Sequence, residues 1–121
     1  MKITRAFTRR EDELNGRRVI GAPVVELHSG AYCEAYLAGD EELTRHELVR
    51  LRTAAAHGAA LGLEIHAGHG LTFATARIVA AIPQVVELNI GHFLICEAVF
   101  MGLDEAVRAM RRAMDEGRAG L

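Results

Sequence analysis

Three short stretches of the chain alternate apolar and polar residues and then reach a glycine, a pattern typical of a β-strand followed by a turn. They read VVELHSG over 24–30, LEIHAGHG over 63–70 and VVELNIGH over 85–92. The alternation predicts strands near 24–28, 63–67 and 85–89. Each stretch carries a glutamate and, two residues later, a histidine or asparagine, so these polar side chains share one face of the strand.

Two helices are predicted between these strands. Asp40 can cap a helix over 41–61, which the following glycine ends. Thr72 can cap a second helix over 73–82, which a following proline stops. Strands therefore alternate with helices, and this order indicates parallel strands joined by helical crossovers.

Two further segments lie outside this alternation. After the third strand comes a short apolar segment, FLICEAVF, that Gly102 breaks, and a last helix is predicted over 104–116. Residues 1–18 are polar and weakly patterned, and they are compatible either with a short helix or with an N-terminal arm. Residues 19–121 are then expected to form the folded domain.

The polar face of the predicted sheet needs a reason, because parallel sheets are normally covered on both sides and apolar throughout. Either that face is open to water, or the strands line the inside of a (β/α)8 barrel near its carboxyl-terminal mouth, where such enzymes hold their active sites. The helical crossovers favour the barrel. The other strand residues, Val86 and Leu88 among them, are expected to face the helices.

Composition narrows the class of protein. The chain has 121 residues, of which half are hydrophobic and a quarter charged, with a net charge of −2. Basic residues are scattered among acids, which argues against a nucleic-acid surface, and no apolar run approaches the length of a membrane span. Cys33 and Cys96 lack the spacing of a metal or disulfide motif, so we expect two free thiols in a cytoplasmic protein.

The loop after the second strand is the first candidate for chemistry. His69 lies between Gly68 and Gly70, which allow the backbone to approach a ligand closely. A histidine at a strand end titrates near neutral pH and can donate or accept a proton. Glu26, on the neighbouring strand, can stabilise a developing positive charge.

The turn after the third strand is the second candidate. Gly91 and His92 precede a short helix, whose free N-terminal N–H groups can bind an anion such as a phosphate. Glu64, His66, Glu87 and Asn89 are expected to form a buried layer of hydrogen bonds. A metal-dependent hydrolase is a further hypothesis, but no HxH or HExxH motif supports a metal site.

The order and spacing of VVELHSGAYCEA, GLEIHAGHGLTF and IPQVVELNIGHFLICEAVFMGLDEAV resemble the C-terminal half of the pyridoxine 5′-phosphate synthase family. The resemblance runs from about Ile20 to Arg118, and residues 1–18 match nothing in the family's other half. It implies a (β/α)8 barrel in a higher oligomer, with neither a metal nor an organic cofactor. The implied reaction condenses 3-amino-2-oxopropyl phosphate with 1-deoxy-D-xylulose 5-phosphate, giving pyridoxine 5′-phosphate, phosphate and water.

The resemblance also implies roles for individual residues. Glu26 corresponds to the carboxylate that stabilises a cationic transition state, and His69 to the general acid. Gly70 corresponds to a substrate contact, and Gly91 with His92 to a backbone site for a substrate phosphate. Where the family often has Tyr-Glu-Asn this chain has Phe-Ala-Thr over 73–75, and we expect the missing glutamate to weaken the helix cap by about 1 kcal/mol.

The length of the chain limits what it can do alone. A complete (β/α)8 barrel needs about 250 residues, and the bases of the family's N-terminal half are not found here. We therefore expect about the last three βα units of a barrel, as a half barrel that lacks synthase turnover by itself. It is expected to self-associate or to need the N-terminal half. The alternative is a non-catalytic module that binds phosphate or assists assembly.

Overall fold

The computed structural model describes residues 7–8 and 21–120, and its elements alternate between strands and helices. In chain order they are β1 (Phe7–Thr8), β2 (Val24–His28), α1 (Gly30–Ala38), α2 (Glu41–Ala60), β3 (Glu64–Gly68), α3 (Phe73–Ala80), β4 (Val85–Asn89), α4 (His92–Met101) and α5 (Leu103–Ala119). No helix of this described part is long and apolar enough to cross a membrane.

The strands form one parallel sheet in the order β1-β2-β3-β4. Because neighbouring strands are also consecutive in the chain, each crossover moves one position across the sheet, as in part of a (β/α)8 barrel. The predicted strands at 24–28 and 85–89 are confirmed, and the middle strand begins one residue later than predicted, at Glu64. The parallel α/β class is therefore confirmed.

Two residues of the N-terminal region form a short strand. Strand β1 pairs Phe7 with Glu26 and Thr8 with Leu27 in parallel register. This pairing covers an edge of β2 whose backbone groups would otherwise stay open. The rest of the prediction for residues 1–18 lies outside the described residues.

Helix α1 occupies an interval where the sequence pattern predicts none. Its side chains are apolar on both faces, since Tyr32 is fully buried while Leu37 is exposed, so no helical periodicity marks it. Gly39 ends the helix in a left-handed conformation, and its N–H donates to the carbonyl of Tyr36 at 3.2 Å. The start of α1 lies beside the loop that follows β3.

The helix caps agree with the sequence in one case and correct it in another. The Asp40 side chain accepts a hydrogen bond from the Leu43 N–H at 3.0 Å, as predicted for the start of α2. The expectation that the cap of α3 is weakened is wrong. Thr75 replaces the missing glutamate, because its hydroxyl accepts from the Thr72 N–H at 2.8 Å while its own N–H donates to the Thr72 hydroxyl.

The core lies between the sheet and the helices, and in one strand the residue that is buried differs from the prediction. Val25, Leu27 and Ile65 are fully buried, as expected. Val86 is 62% exposed, and Val85 is buried instead. The register moves from Ile65 opposite Val85 to His66 opposite Glu87, so Val86 is the extra residue of a β-bulge and its side chain leaves the core.

Helix α4 is strongly apolar but is left uncovered. None of its residues is buried among the described part of the chain. Val99 and Phe100 are exposed, the latter to 87%, whereas Phe93 packs edge-on against Phe73 with ring centroids 4.8 Å apart. Large exposed apolar patches are typical of interaction surfaces.

Candidate active site

The carboxyl ends of the parallel strands meet at one edge of the sheet, and a cleft of about 650 Å³ opens there. It is lined by all five residues singled out from the sequence: Glu26, His69, Gly70, Gly91 and His92. They come from three different strand ends, which the parallel register brings to the same level. The structure therefore brings the predicted site residues together.

Glu26 is the buried carboxylate of the cleft. It is only 4% exposed, and the Asn89 amide donates a hydrogen bond to its Oε2 at 2.7 Å. Gly68 lies between them on β3, where a Cβ would collide with Glu26 Oε1 and come within 3.1 Å of Asn89 Cβ. The missing side chain of Gly68 is thus what allows Asn89 to reach Glu26 across β3.

The expected layer of hydrogen bonds among the other polar strand residues is only partly present. His66 is buried, and its Nε2 lies 2.7 Å from Glu64 Oε1 while its Nδ1 lies 3.5 Å from Glu87 Oε1. Glu64 and Glu87 are, however, about half exposed. Asn89 belongs with Glu26 rather than with this layer, because the bulge and Gly68 direct it toward β2.

His69 has an unusual backbone conformation. Its φ of +87° is in the left-handed region, which costs a residue with a side chain about 1–3 kcal/mol. The turn that starts α1 holds it there, since the Ser29 hydroxyl lies 2.7 Å from the carbonyl oxygen of Gly68 and 2.8 Å from that of His69. The Cys33 thiol lies 3.7 Å from the same His69 oxygen. Strain of this kind concentrates at functional sites.

The histidine ring itself is exposed to the cleft and stacks on a second histidine. The His28 and His69 ring centroids are 4.3 Å apart with 27° between the ring planes. Gly70, also with a positive φ, continues the loop past Cys33. An exposed imidazole in this position can exchange protons with a ligand in the cleft.

The N-terminus of α4 forms the opposite wall of the cleft. Gly91 is the N-cap residue and His92 the first residue of the helix, and within the described residues no side chain caps this end. The backbone N–H groups of the first turn are therefore available to an anion. His92 Nε2 lies 3.7 Å from Cys96 Sγ, one turn further along.

The two thiols differ in their environment. Both are free; Cys33 is buried and Cys96 is exposed. Burial raises the pKa of the Cys33 thiol above its ordinary value and so favours the protonated form. Among residues 21–120, no group of three or more His, Cys, Asp or Glu side chains is arranged to hold a metal ion.

The family is decided by a comparison with known protein families. The model described as "Pyridoxal phosphate biosynthesis protein PdxJ" matches residues 7–116. The chain belongs to this family. The match begins at residue 7, whereas the resemblance carried by the three motifs runs from about Ile20.

Curated PdxJ relatives are similar over most of this chain. "Pyridoxine 5'-phosphate synthase" of Ruegeria pomeroyi is 56% identical over 114 residues, which is 94% of this chain and 45% of the relative. Proteins of the same name from Roseobacter denitrificans and Caulobacter vibrioides are 57% and 53% identical, over 83% and 91% of this chain and 40% and 43% of their own lengths. The chain thus spans less than half the length of these PdxJ relatives.

The sequence pattern did not reveal two supports of this PdxJ cleft, Ser29 and Cys33, and a third, Asn89, was expected in the polar layer rather than against Glu26. The first two act through α1, which the hydrophobic pattern did not reveal. Asn89 acts across β3, and the available signal was the glycine at the matching position of that strand, since Gly68 pairs with Asn89 in the register.

Proposed function

We propose that this chain supplies the C-terminal half of a pyridoxine 5′-phosphate synthase. The reaction would condense 3-amino-2-oxopropyl phosphate with 1-deoxy-D-xylulose 5-phosphate to give pyridoxine 5′-phosphate, phosphate and water. The observation that carries this proposal is the cleft in which the strained His69, the buried Glu26 and the uncapped end of α4 come together. The name of the relatives supports the same reaction.

The chain's own groups suit three tasks in that reaction. The N–H groups at Gly91 and His92 bind a substrate phosphate, which the helix dipole favours. Glu26, held by Asn89, stabilises positive charge that develops on the substrate nitrogen or carbon framework. His69 donates a proton to a departing oxygen, and Gly70 lets the substrate approach the loop. These tasks need acid–base and electrostatic chemistry only, so no metal or organic cofactor is proposed.

The second proposal is that the fold is a half barrel completed by another chain segment. The described strands form one four-stranded sheet, whereas a closed (β/α)8 barrel needs eight strands. The proposed reaction also needs groups that accept protons from the amino ketone. The open edge of β4 and the exposed face of α4 would be covered on completion. We propose a cytoplasmic setting as well, in which Cys33 and Cys96 stay reduced.

Complementation tests the function and the half barrel together. The chain alone is expected to show no synthase turnover and to scatter light as a species larger than a monomer, because its sheet edge and apolar helix are uncovered. Adding the N-terminal half of the Ruegeria pomeroyi relative should restore turnover. Turnover by the chain alone, or a stable monomer at micromolar concentration, would contradict the half barrel. Phosphate binding without turnover in the mixture would instead support the non-catalytic module.

The phosphate site can be tested on the chain itself through its two thiols. Cys96 lines the cleft beside His92, so inorganic phosphate bound at the N-terminus of α4 is expected to slow its alkylation by iodoacetamide. Cys33 is buried and serves as the internal control. Peptide mass spectrometry gives both rates in one sample. The reference sample is a buffer of the same ionic strength that contains neither phosphate nor sulfate. Equal alkylation rates of Cys96 in this buffer and at a high phosphate concentration would contradict a phosphate site there.

A further inference from the structure

We propose that His28 is a positioning residue whose ring holds the His69 imidazole in the orientation needed for proton transfer. The inference rests on the proposed function, in which His69 is the proton donor. His28 is the last residue of β2, and His69 directly follows β3, so the parallel register brings the two residues to the same edge of the sheet.

The need for a positioning group follows from the exposure of His69. Its backbone is fixed by Ser29 and Cys33, but its side chain is exposed to the cleft. Within the described residues, no hydrogen bond restrains the His69 ring. An exposed side chain samples several rotamers, and proton transfer requires one of them. The restraint on the ring is the stack with His28, at 4.3 Å and 27°.

The turn after β2 is shaped to hold this pair of rings. The Gly30 N–H donates to His28 Nδ1 at 3.3 Å, which fixes the His28 ring and places its proton on Nε2 when the ring is neutral. A Cβ at Gly30 would lie 2.6 Å from His28 Cε1 and 2.9 Å from His69 Cδ2. The glycine therefore provides the space that both rings occupy.

Two substitutions at His28 separate stacking from other effects. His28→Ala removes the stack, whereas His28→Phe keeps a flat aromatic ring that contains no nitrogen atom. In proton NMR spectra of the full 121-residue chain, the ring-current shift of the His69 Cδ2 proton is expected in the wild type and the Phe variant, and is expected to disappear in the Ala variant. This readout does not depend on catalysis.

Kinetics of the complemented enzyme give the second readout. His28→Ala is expected to lower kcat by about 10- to 100-fold with little change in KM, because the donor is misplaced while substrate binding is kept. His28→Phe should recover most of that loss. Gly30→Ala leaves both imidazoles chemically intact but forces them apart, so it should lower kcat as His28→Ala does. If His28→Ala fails to fold, Gly30→Ala takes its place.

The outcomes separate this inference from the function on which it rests. An unshifted His69 proton in the wild type, or unchanged kcat in both His28→Ala and Gly30→Ala, overturns the positioning role. A Phe variant as slow as the Ala variant also overturns it, because stacking would then not be what matters. A complemented wild type without turnover instead overturns the proposed function, and the ring-current comparison alone then decides whether His28 orients the His69 ring.

Discussion

His69→Asn is expected to lower kcat of the complemented enzyme by about 10²- to 10⁴-fold, which is the range that a positioned general acid contributes. Asparagine is the informative replacement because it tolerates the left-handed conformation that His69 adopts, so the loop can keep its shape. It has no group that can transfer a proton near neutral pH. The loss should therefore appear in kcat, with the substrate KM changed much less.

The matched control for this variant is His46→Asn. His46 lies on the exposed surface of α2 and does not line the cleft, so the same chemical change there should leave turnover unchanged. Circular dichroism of both variants checks that they fold equally. A His69→Asn enzyme with kcat within a few-fold of wild type would remove His69 from the role of proton donor.

The elements that the sequence could predict are those with a regular order of residue types or a recognisable cap. β2 and α2 are examples: β2 alternates apolar and polar residues, and α2 has the cap that Asp40 provides. α1 could not be predicted, because apolar residues face both the core and the solvent in this region and no periodicity is left to read. On the proposal of a half barrel, the other half would cover these exposed apolar residues.

Within the candidate site, the sequence predicted which loops come together but not how they are held. The glycines beside His69 and the strand-end position indicated the cleft. The contacts that fix the loop come from Ser29, and the contact that fixes Glu26 comes from Asn89. Such contacts depend on the register of neighbouring strands and on a bulge at Val86, and neither can be obtained from the pattern of a single strand.

The repeated strand motif hides a difference among its three glutamates. Glu26, Glu64 and Glu87 occupy equivalent positions in the repeat, yet Glu26 is buried and the other two are about half exposed. A charge acts more strongly where water is excluded, so on the proposed function Glu26 is the one of the three glutamates whose carboxylate would stabilise charge in the cleft. The repeat contains three carboxylates, and Glu26 is the one that is buried.

Glu26→Gln is therefore expected to lower kcat of the complemented enzyme by about 10²- to 10³-fold, comparable to removing one electrostatic contact to a transition state. Glutamine keeps the size of the side chain and can still accept from the Asn89 amide through its carbonyl oxygen, but it carries no charge. The change should therefore spare folding and act on the reaction.

The same substitution in the sister strand is the control. Glu64→Gln removes a half-exposed carboxylate that contacts His66 and does not line the cleft, so its kcat should stay within a few-fold of wild type. Steady-state kinetics of the two variants, each complemented by the same N-terminal half, make the comparison. Equal losses would mean that the site depends on the total negative charge of the sheet, whereas a loss confined to Glu26→Gln assigns the stabilising charge to the one carboxylate that Asn89 and Gly68 hold in the cleft.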